Sequence, residues 1–499
     1  MREPILFNRI LERSHDMRLA NQIIKGLRTI FSGKDLIAHV PNLIRPIVCE
    51  NRNQKQGAAV SKPLGIAWLK RWAVWKPPSL VSGSASFSIE RWTLDVGRWT
   101  FLFFAMNATS PRLIALSLLF FLPLLDAREP QTSPPASQSI RARALGIPFD
   151  GTTGALNAIT DVTGVEVGYT TLISGEGKLE VGKGPVRTGV TAILPRGRGS
   201  FDDPVYAGYF SLNGNGEMTG TAWVEESGFL EGPVMITNTH SVGVVRDATI
   251  AWRVAQGAPD PTGFSWSLPV VAETWDGYLN DINGFHIKPE HVVNALNTAK
   301  PGPIAEGSVG GGTGMICYEF KGGTGTASRV LDKKNGGYVV GALVQANCGR
   351  RAGLTIAGVP VGKEITENAV FSQEAGSIII VVATDAPLLP HQLKRLARRA
   401  SLGLARTGSV SGNGSGDLFL AFSTANPHAA DPAAPTRSVA TVPNDRMDPI
   451  FVATVQSVEE AIINALVANQ SMTGRDNHHV DALPHDRVRE LLKKYNRLR

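Results

Sequence analysis

The sequence predicts an α+β protein in which stacked β-sheets are flanked by helices. Apolar runs rich in β-branched residues, above all residues 378–383, are typical of buried strands. Residues 390–406 carry Leu and Ala at helical spacing among basic residues, and residues 289–299 open with a proline at a helix start. Many strands with helices between them favour sheets that helices cover.

The other elements follow in chain order. Further strands are predicted at residues 158–162, 165–169, 188–195, 234–239, 338–345 and 418–422, and further helices at residues 245–254, 458–468 and 484–498. A hairpin turn, Asn335-Gly336-Gly337, precedes the 338–345 run. The glycine-rich stretches 310–314 and 322–325 lack the Lys-Ser/Thr ending of a phosphate-binding loop, so they predict tight loops lining a cleft.

Composition indicates a turn-rich globular enzyme. The chain has 499 residues, with 52 Gly, 31 Pro and 43% hydrophobic residues. Its net charge of +7 does not indicate nucleic-acid binding, because much of the basic sequence precedes residue 128. The three cysteines, Cys49, Cys317 and Cys348, give no disulfide framework, and no His/Cys cluster has the spacing of a metal site.

The sequence changes character at Met106. One basic residue, Arg112, is followed by the apolar residues 113–125 and then Ala127, the layout of a secretory signal peptide that is too short for a typical membrane span. We therefore expect residues 106–127 to be a signal peptide, residues 128–139 a Pro-rich linker, and the mature protein to be periplasmic or secreted. Residues 1–105 show no sustained period and are interpreted as a non-native upstream extension. The alternative is a genuine extension whose apolar helix, lengthened by residues 99–104, anchors the chain in a membrane.

Gly376-Ser377, in front of the 378–383 run, is the main candidate for chemistry. If this bond is cut, Ser377 carries a hydroxyl and a free α-amine at the mouth of a rigid strand. An α-amine has an unperturbed pKa of about 7.7–8 and can accept the proton of its own hydroxyl near neutral pH. Gly376 is expected to tolerate the strained backbone that such a cut requires. The alternative is an ordinary Gly-Ser turn leading into a core strand.

Other polar residues stand where they can serve a nucleophile. Ser415 and Asp417 directly precede the 418–422 strand and can orient a nucleophile or pass protons, although a solvated turn also explains them. Asn347 follows the 338–345 strand and can donate an amide N–H to an oxyanion, or simply form a turn.

Residues 273–278 form a further candidate site. Two carboxylates, Glu273 and Asp276, stand beside two aromatic residues, Trp275 and Tyr278. Such a set can line a pocket for a small cationic group, and it can equally form a surface corner.

Five stretches taken together resemble the DmpA-type aminopeptidases, the L-aminopeptidase/D-esterase and β-aminopeptidase group. They are GPVRTGVT (184–191), LNGNGE (212–217), ITNTHSVG (236–243), VGGGTGM (309–315) and ATDAPL (383–388). The likeness covers residues 140–499. It implies one catalytic domain with the four-layer αββα sandwich of amino-terminal-nucleophile-like hydrolases, a fold similar to that of ornithine acetyltransferase.

The resemblance also implies a precursor that cuts itself before Ser377. The products are an α chain, residues 140–376, and a β chain, residues 377–499, which stay associated. Four further roles then fall on residues of this chain: a helper serine and acid on Ser415 and Asp417, an oxyanion asparagine on Asn347, and an acid that grips the substrate ammonium on Glu273. The oxyanion tyrosine of the family falls at Trp275, with Tyr278 close by, and which of the two completes the site is left open.

The implied substrates are short peptides, amides or esters with an unblocked amine and a small first residue. No metal or organic cofactor is implied, and a homo-oligomer of αβ units is expected. Nucleic acid is not an expected partner, nor is a membrane after signal cleavage. Two alternatives remain: an ornithine-acetyltransferase-like acyl transferase, and a secreted binding protein that is never cut. Side-chain preference, stereochemistry and the choice between α- and β-amino acids stay open.

The assignment of residues 1–105 predicts which peptides the natural protein contains. Mass spectrometry of natively expressed protein should find no peptide from residues 1–105, because we expect translation to start at Met106. Detection of peptides from that region would show that the extension is genuine.

Overall fold

The computed structural model describes residues 88–96, 99–107, 140–200, 202–257, 266–371, 376–433 and 435–498. The chain divides into two compact units, Met1–Ala127 and Arg128–Arg499. In the first unit, β1 (Ser88–Val96) pairs antiparallel with β2 (Trp99–Asn107). Residues 99–104 therefore form a strand rather than part of an apolar helix. The apolar run 113–125 and the linker 128–139 lie outside the described residues.

The second unit contains a six-stranded sheet. Its strands are β5 (Val205–Ser211), β6 (Phe229–Leu230), β11 (Gly323–Val330), β12 (Val339–Asn347), β13 (Ser377–Thr384) and β14 (Leu418–Ser423). They lie in the order β11-β12-β13-β14-β5-β6. Only the central pair, β13 and β14, is parallel within this sheet. Two central strands therefore begin at the same edge.

A second sheet has four strands. These are β3 (Glu166–Ser174), β4 (Val186–Leu194), β7 (Val234–Asn238) and β8 (Val270–Thr274), in the order β3-β4-β7-β8 with β7 and β8 parallel. Two small hairpins complete the described strands: β9 (Ile316–Cys317) with β10 (Phe320–Lys321), and β15 (Met472–Thr473) with β16 (His479–Val480).

Seven helices occur in the described residues. They are α1 (Thr221–Ser227), α2 (Val242–Ala255), α3 (Pro289–Asn297), α4 (Val361–Glu364), α5 (Pro390–Arg406), α6 (Asp448–Val467) and α7 (His485–Lys494). Among these residues α6 is the one helix that by length and composition could cross a membrane. It is mostly buried, because it packs on the six-stranded sheet as a core helix.

The alternation of side chains along β13 builds two hydrophobic layers. Ile378 and Ile380 point to one face and pack with residues of α5 and α6. Ile379 and Val381 point to the other face and pack with residues of the four-stranded sheet, such as Ile236. All eight residues of this strand are buried, which explains its nearly continuous apolar sequence.

The four-stranded sheet is covered on its other face by α2 and α3. Trp252 of α2 and Leu296 of α3 are buried in a cluster with Val190 and Met235 of the sheet. The two helices therefore bury the face of this sheet that does not pack against Ile379 and Val381.

The predicted α+β class is confirmed. Two local predictions are wrong. Residues 158–162 are a 3₁₀ turn, Ile159–Asp161, rather than a strand, because the Asp161 carboxylate accepts the backbone N–H groups of Leu156 and Ala158. Residues 323–325 are part of β11 rather than of a loop. Glycine stands at position 325 because the helix α6 packs closely there: a Cβ would lie 2.0 Å from the Ala461 carbonyl oxygen.

Several observed elements were not expected from the sequence. The prediction contains no strand at β5 or β8, and it starts α6 ten residues too late, at residue 458 rather than Asp448. The helix predicted at residues 390–406 is present with the same ends, and the remaining predicted strands and helices are present with shifted ends.

The layer between the sheets should dominate stability. Leu420 is fully buried there, whereas Leu402 on α5 is 54% exposed. Leu420→Ala should lower the free energy of unfolding by about 2–5 kcal/mol, while Leu402→Ala should change it by less than about 0.5 kcal/mol. Chemical denaturation of both variants measures this, and equal losses would contradict the assigned layer.

Candidate active site

Three strand ends meet at one edge of the six-stranded sheet. Antiparallel β12 ends at Asn347, directly opposite Ser377 at the start of β13. Parallel β14 starts beside β13, with Leu418 paired to Ile379, so Ser415 and Asp417 arrive at the same edge. The strand order therefore brings together residues that are distant in sequence.

Ser377 and Asn347 point to the same side of this sheet. Residues directly opposite in an antiparallel pair share a face, and here it is the face that carries Ile379 and Leu343 toward the four-stranded sheet. Both side chains are buried, with Ser377 only 5% exposed. The Gly416 N–H donates to Ser377 Oγ at 2.9 Å. The serine oxygen is thus held between the sheets at their rim.

Gly376 is required by close packing. A Cβ at this residue would lie 1.8 Å from the Asn347 carbonyl oxygen, so a larger residue cannot occupy the position without moving β12. Gly376 is not among the glycines with positive φ. The structure therefore adds a steric reason for glycine at this position.

Asp417 lies beside the residue that follows the serine. Its Oδ1 accepts the Ser415 hydroxyl at 2.6 Å and the Ile378 N–H at 3.1 Å. Burial raises the pKa of the Asp417 carboxyl, and the hydrogen bond from Ser415 partly offsets this effect. The carboxylate is therefore one residue away from the Ser377 nitrogen.

Asn213 holds the Asp417 segment in place, a contact that the sequence analysis missed. Asn213 Oδ1 accepts the Asp417 N–H at 2.6 Å, and its Nδ2 donates to the carbonyls of Ser411 and Gly412. In the sequence, the 212–217 stretch contributes only to the family likeness. Asn213 is part of that motif, but its contact with Asp417 depends on the pairing of β5 with β14, which the sequence does not show.

Glu273, at the end of β8, is placed next to this edge by the same loop. Its carboxylate accepts the Glu217 N–H at 3.0 Å and the hydroxyl of Thr239. A Cβ at Gly216 would lie 3.3 Å from Glu273 Oε1 and 3.1 Å from the Gly416 Cα. Burial raises the pKa of Glu273, and the Thr239 hydrogen bond opposes that rise. Thr239 is a second contact that sequence reasoning did not identify.

The amide of Asn347 is fixed from both ends. Its Oδ1 accepts the Ile316 N–H at 2.7 Å, and its Nδ2 donates to the Trp275 carbonyl at 3.0 Å. An amide nitrogen carries two hydrogens, so one N–H is left for another acceptor. Asn347 can therefore donate a hydrogen bond to an oxygen near Ser377, the first residue of β13.

The two aromatic candidates occupy different places. Trp275 is 37% exposed, contacts Asn347 through its backbone carbonyl, and lies with its indole over Gly277. The Tyr278 ring stacks on His478 at 4.4 Å and meets Phe371 edge-on at 5.2 Å. Tyr278 therefore packs against His478 and Phe371, whereas Trp275 lies beside Asn347.

Asp276 anchors the Trp275 segment. It is fully buried and accepts Asn238 Nδ2 at 3.0 Å and Asn280 Nδ2 at 3.1 Å. Burial raises the pKa of Asp276 to about 6, against opposing hydrogen bonds from Thr188, Asn280 and Asn238. Asp276 is therefore a supporting group below the site rather than a lining residue. Among the residues that the structure describes, no cluster of three or more His, Cys, Asp or Glu could hold a metal ion.

Comparison with known proteins identifies the family of this chain. The model of peptidase family S58 matches residues 157–480. The chain is 56% identical over 379 residues to the beta-peptidyl aminopeptidase BapA of Sphingosinicella microcystinivorans, covering 73% of this chain and 94% of that protein.

Two solved structures are also similar. The l-aminopeptidase d-ala-esterase/amidase from Ochrobactrum anthropi, a prototype for the serine aminopeptidases with a variant of the Ntn hydrolase fold, has a TM-score of 0.67 and 52% identity, covering 72% of this chain and 99% of that one. A Burkholderia sp. beta-aminopeptidase has a TM-score of 0.66 and 49% identity, covering 71% and 99%.

The fold and the comparisons define a hydrolase of the serine aminopeptidase class. The chain belongs to peptidase family S58.

The raised pKa of Asp276 predicts a pH dependence of stability. Between its unfolded value of 3.8 and its folded value of about 6, the folded protein holds a proton that the unfolded chain releases, so stability falls as pH rises. Wild type should lose about 3 kcal/mol relative to Asp276→Asn between pH 3.5 and 7, from about two pKa units at about 1.4 kcal/mol each. Denaturation of both proteins across this range measures the difference, and parallel pH curves would contradict it.

Proposed function

We propose that this protein is a self-processing serine aminopeptidase that works through an acyl-enzyme on Ser377. The observation that supports this most is the position of Ser377 at the first residue of β13, opposite Asn347 and next to the Ser415–Asp417 pair. A cut before Ser377 puts a free amine beside its hydroxyl, with an amide donor already in place.

Processing begins on the intact chain. Ser377 Oγ attacks the Gly376 carbonyl carbon, the carbon–nitrogen bond breaks, and the hydroxyl proton ends on the Ser377 nitrogen. The resulting ester is hydrolysed by water, which leaves a carboxylate on Gly376 and restores the hydroxyl. The packing of Gly376 against Asn347 supports this step, because it holds the scissile bond beside the asparagine.

Turnover repeats the same chemistry on a substrate. The Ser377 amine accepts the hydroxyl proton while Oγ attacks the carbonyl of the first substrate residue. The second N–H of Asn347 stabilises the oxyanion. The amine then returns the proton to the leaving group, and water releases the acyl group. The Asp417 carboxylate, bound to the Ile378 N–H, favours the protonated form of the neighbouring amine.

Substrates are proposed to be short peptides, amides or esters with a free amine and a small first residue. Glu273 supplies the negative charge for the substrate ammonium, and its place between Thr239 and the 212–217 loop supports this role. Trp275 and Tyr278 line the approach. The names of the similar proteins, which include beta-peptidyl aminopeptidase and d-ala-esterase/amidase, support β- and D-amino acids as further candidates.

Three broader features belong to the same proposal. The domain is a four-layer αββα sandwich, supported by the hydrophobic clusters above, between and below the two sheets. The mature enzyme is exported to the periplasm or secreted, supported by the signal-like residues 106–127. The αβ units assemble into a homo-oligomer, an expectation that the family likeness supports.

Replacement of Ser377 tests the central step. Ser377→Ala should remain one uncut chain and lose activity, because no hydroxyl can attack Gly376. Denaturing electrophoresis with N-terminal sequencing of the smaller wild-type band, together with hydrolysis of amino-acid amides, measures both effects.

Ser308→Ala is the matched control, since Ser308 also follows a glycine but hydrogen-bonds to Asn469 instead. It should be cut and active like wild type. A two-chain, active Ser377→Ala protein would overturn the proposal, as would cleavage of wild type at another bond.

A further inference from the structure

Lys321 is a fully buried lysine whose amine binds backbone carbonyls. Its Nζ donates to the Met315 carbonyl at 2.9 Å and to the Gly322 carbonyl at 2.6 Å. Burial lowers the pKa of Lys321 to about 7. Removing an amine from water in this way is unfavourable. An apolar side chain of similar length would therefore be better for stability alone.

Neither carbonyl depends on the lysine for a hydrogen bond. The Met315 oxygen already accepts the Gly322 N–H at 2.9 Å, and the Gly322 oxygen already accepts Asn469 Nδ2 at 2.9 Å. Lys321 adds a second donor to each oxygen. Satisfaction of buried polar groups therefore does not explain its presence.

The Met315 carbonyl links the lysine to Asn347. It belongs to the same peptide group as the Ile316 N–H, which donates to Asn347 Oδ1 at 2.7 Å. A donor at an amide oxygen draws electron density from the nitrogen, and hydrogen bonds in such a chain polarise and strengthen one another. Lys321 thus acts on the N–H that holds the asparagine amide.

The hydrogen bonds to Ile316 and Trp275 decide which atom of the Asn347 amide faces the developing oxyanion. With Oδ1 bound to Ile316 and one hydrogen of Nδ2 bound to the Trp275 carbonyl, the second hydrogen is free to reach an oxyanion. A rotated amide would lose both contacts and would present its oxygen, an acceptor, to the developing negative charge. Correct orientation is therefore a condition for catalysis by this residue.

We propose that Lys321 is a positioning residue, which fixes the Met315–Ile316 peptide group and thereby keeps the Asn347 amide turned for oxyanion binding. The inference rests on the proposed function, because it assigns Asn347 its role there. Both charge states of the lysine serve, since an ammonium has three N–H donors and a neutral amine two, one for each carbonyl.

Lys321→Met tests the role, because methionine keeps the length and apolar stem but has no donor. We expect kcat to fall about tenfold with KM within about twofold, part of the loss of about 10²–10³ that removal of an oxyanion donor causes. Self-cleavage of the precursor should slow as well, since it uses the same amide. The melting temperature should not fall, because a buried amine is replaced by an apolar group. Lys321→Gln, which retains donors, should recover part of kcat.

Lys363→Met, at an exposed position of α4, is the control for loss of a lysine and should match wild type. Rates are expressed per cut chain, so that slow processing is not counted as slow turnover. An unchanged kcat, a loss confined to KM, or a fall in melting temperature that parallels the loss of activity would overturn the inference. So would failure of both Lys321 variants to fold, because the lysine would then serve the fold. An inactive wild type would instead refute the proposed function.

Discussion

The antiparallel pairing of β12 with β13 is the contact on which the site depends. It sets Asn347 opposite Ser377 and brings the Asn347 carbonyl so close to Gly376 that only hydrogen fits as a side chain. The other groups are arranged around this pair. Parallel β14 brings Asp417 to the same edge. The 212–217 loop binds both the Asp417 backbone N–H, through Asn213, and the Glu273 carboxylate, through the Glu217 N–H. A shift of this register by one residue would turn Ser377 toward the helices and away from the four-stranded sheet.

Burial sets the direction of the pKa shifts of the carboxyl groups near the site. Glu273, Asp276 and Asp417 all lie in a poorly solvated edge between the sheets, and in each case burial raises the pKa of the carboxyl. Hydrogen bonds from Thr239, Asn238 and Ser415 oppose this effect. These groups are thus oriented before any ligand arrives, which is the condition for electrostatic stabilisation at low reorganisation cost.

The sequence predicted the strand of Ser377 from a continuous run of β-branched residues, and the helix of residues 390–406 from apolar residues at helical spacing. It also predicted the residues that stand at strand ends, Asn347 and Asp417, since polar residues next to an apolar run are visible in the sequence. It could not predict Asn213 as a partner of Asp417, because that contact depends on the pairing of β5 with β14. It could not predict Lys321 either, because its amine is buried against the Met315 and Gly322 carbonyls by the short β9–β10 hairpin, which has no long apolar run. The prediction of a loop at Gly325 is wrong, because this glycine lies in a strand and leaves room for the backbone of α6.

The order of strands in the larger sheet has a consequence for the proposed cut before Ser377. A break before Ser377 would leave β13 and β14 in one polypeptide, bordered by β12 and β5 of the other. Neither part would then contain the complete six-stranded sheet, since removal of the middle pair separates β11 and β12 from β5 and β6. In the unbroken precursor both halves meet as parts of one molecule, at no loss of translational freedom. Under the proposed cleavage, the peptide bond before Ser377 would be needed only until the six-stranded sheet has formed.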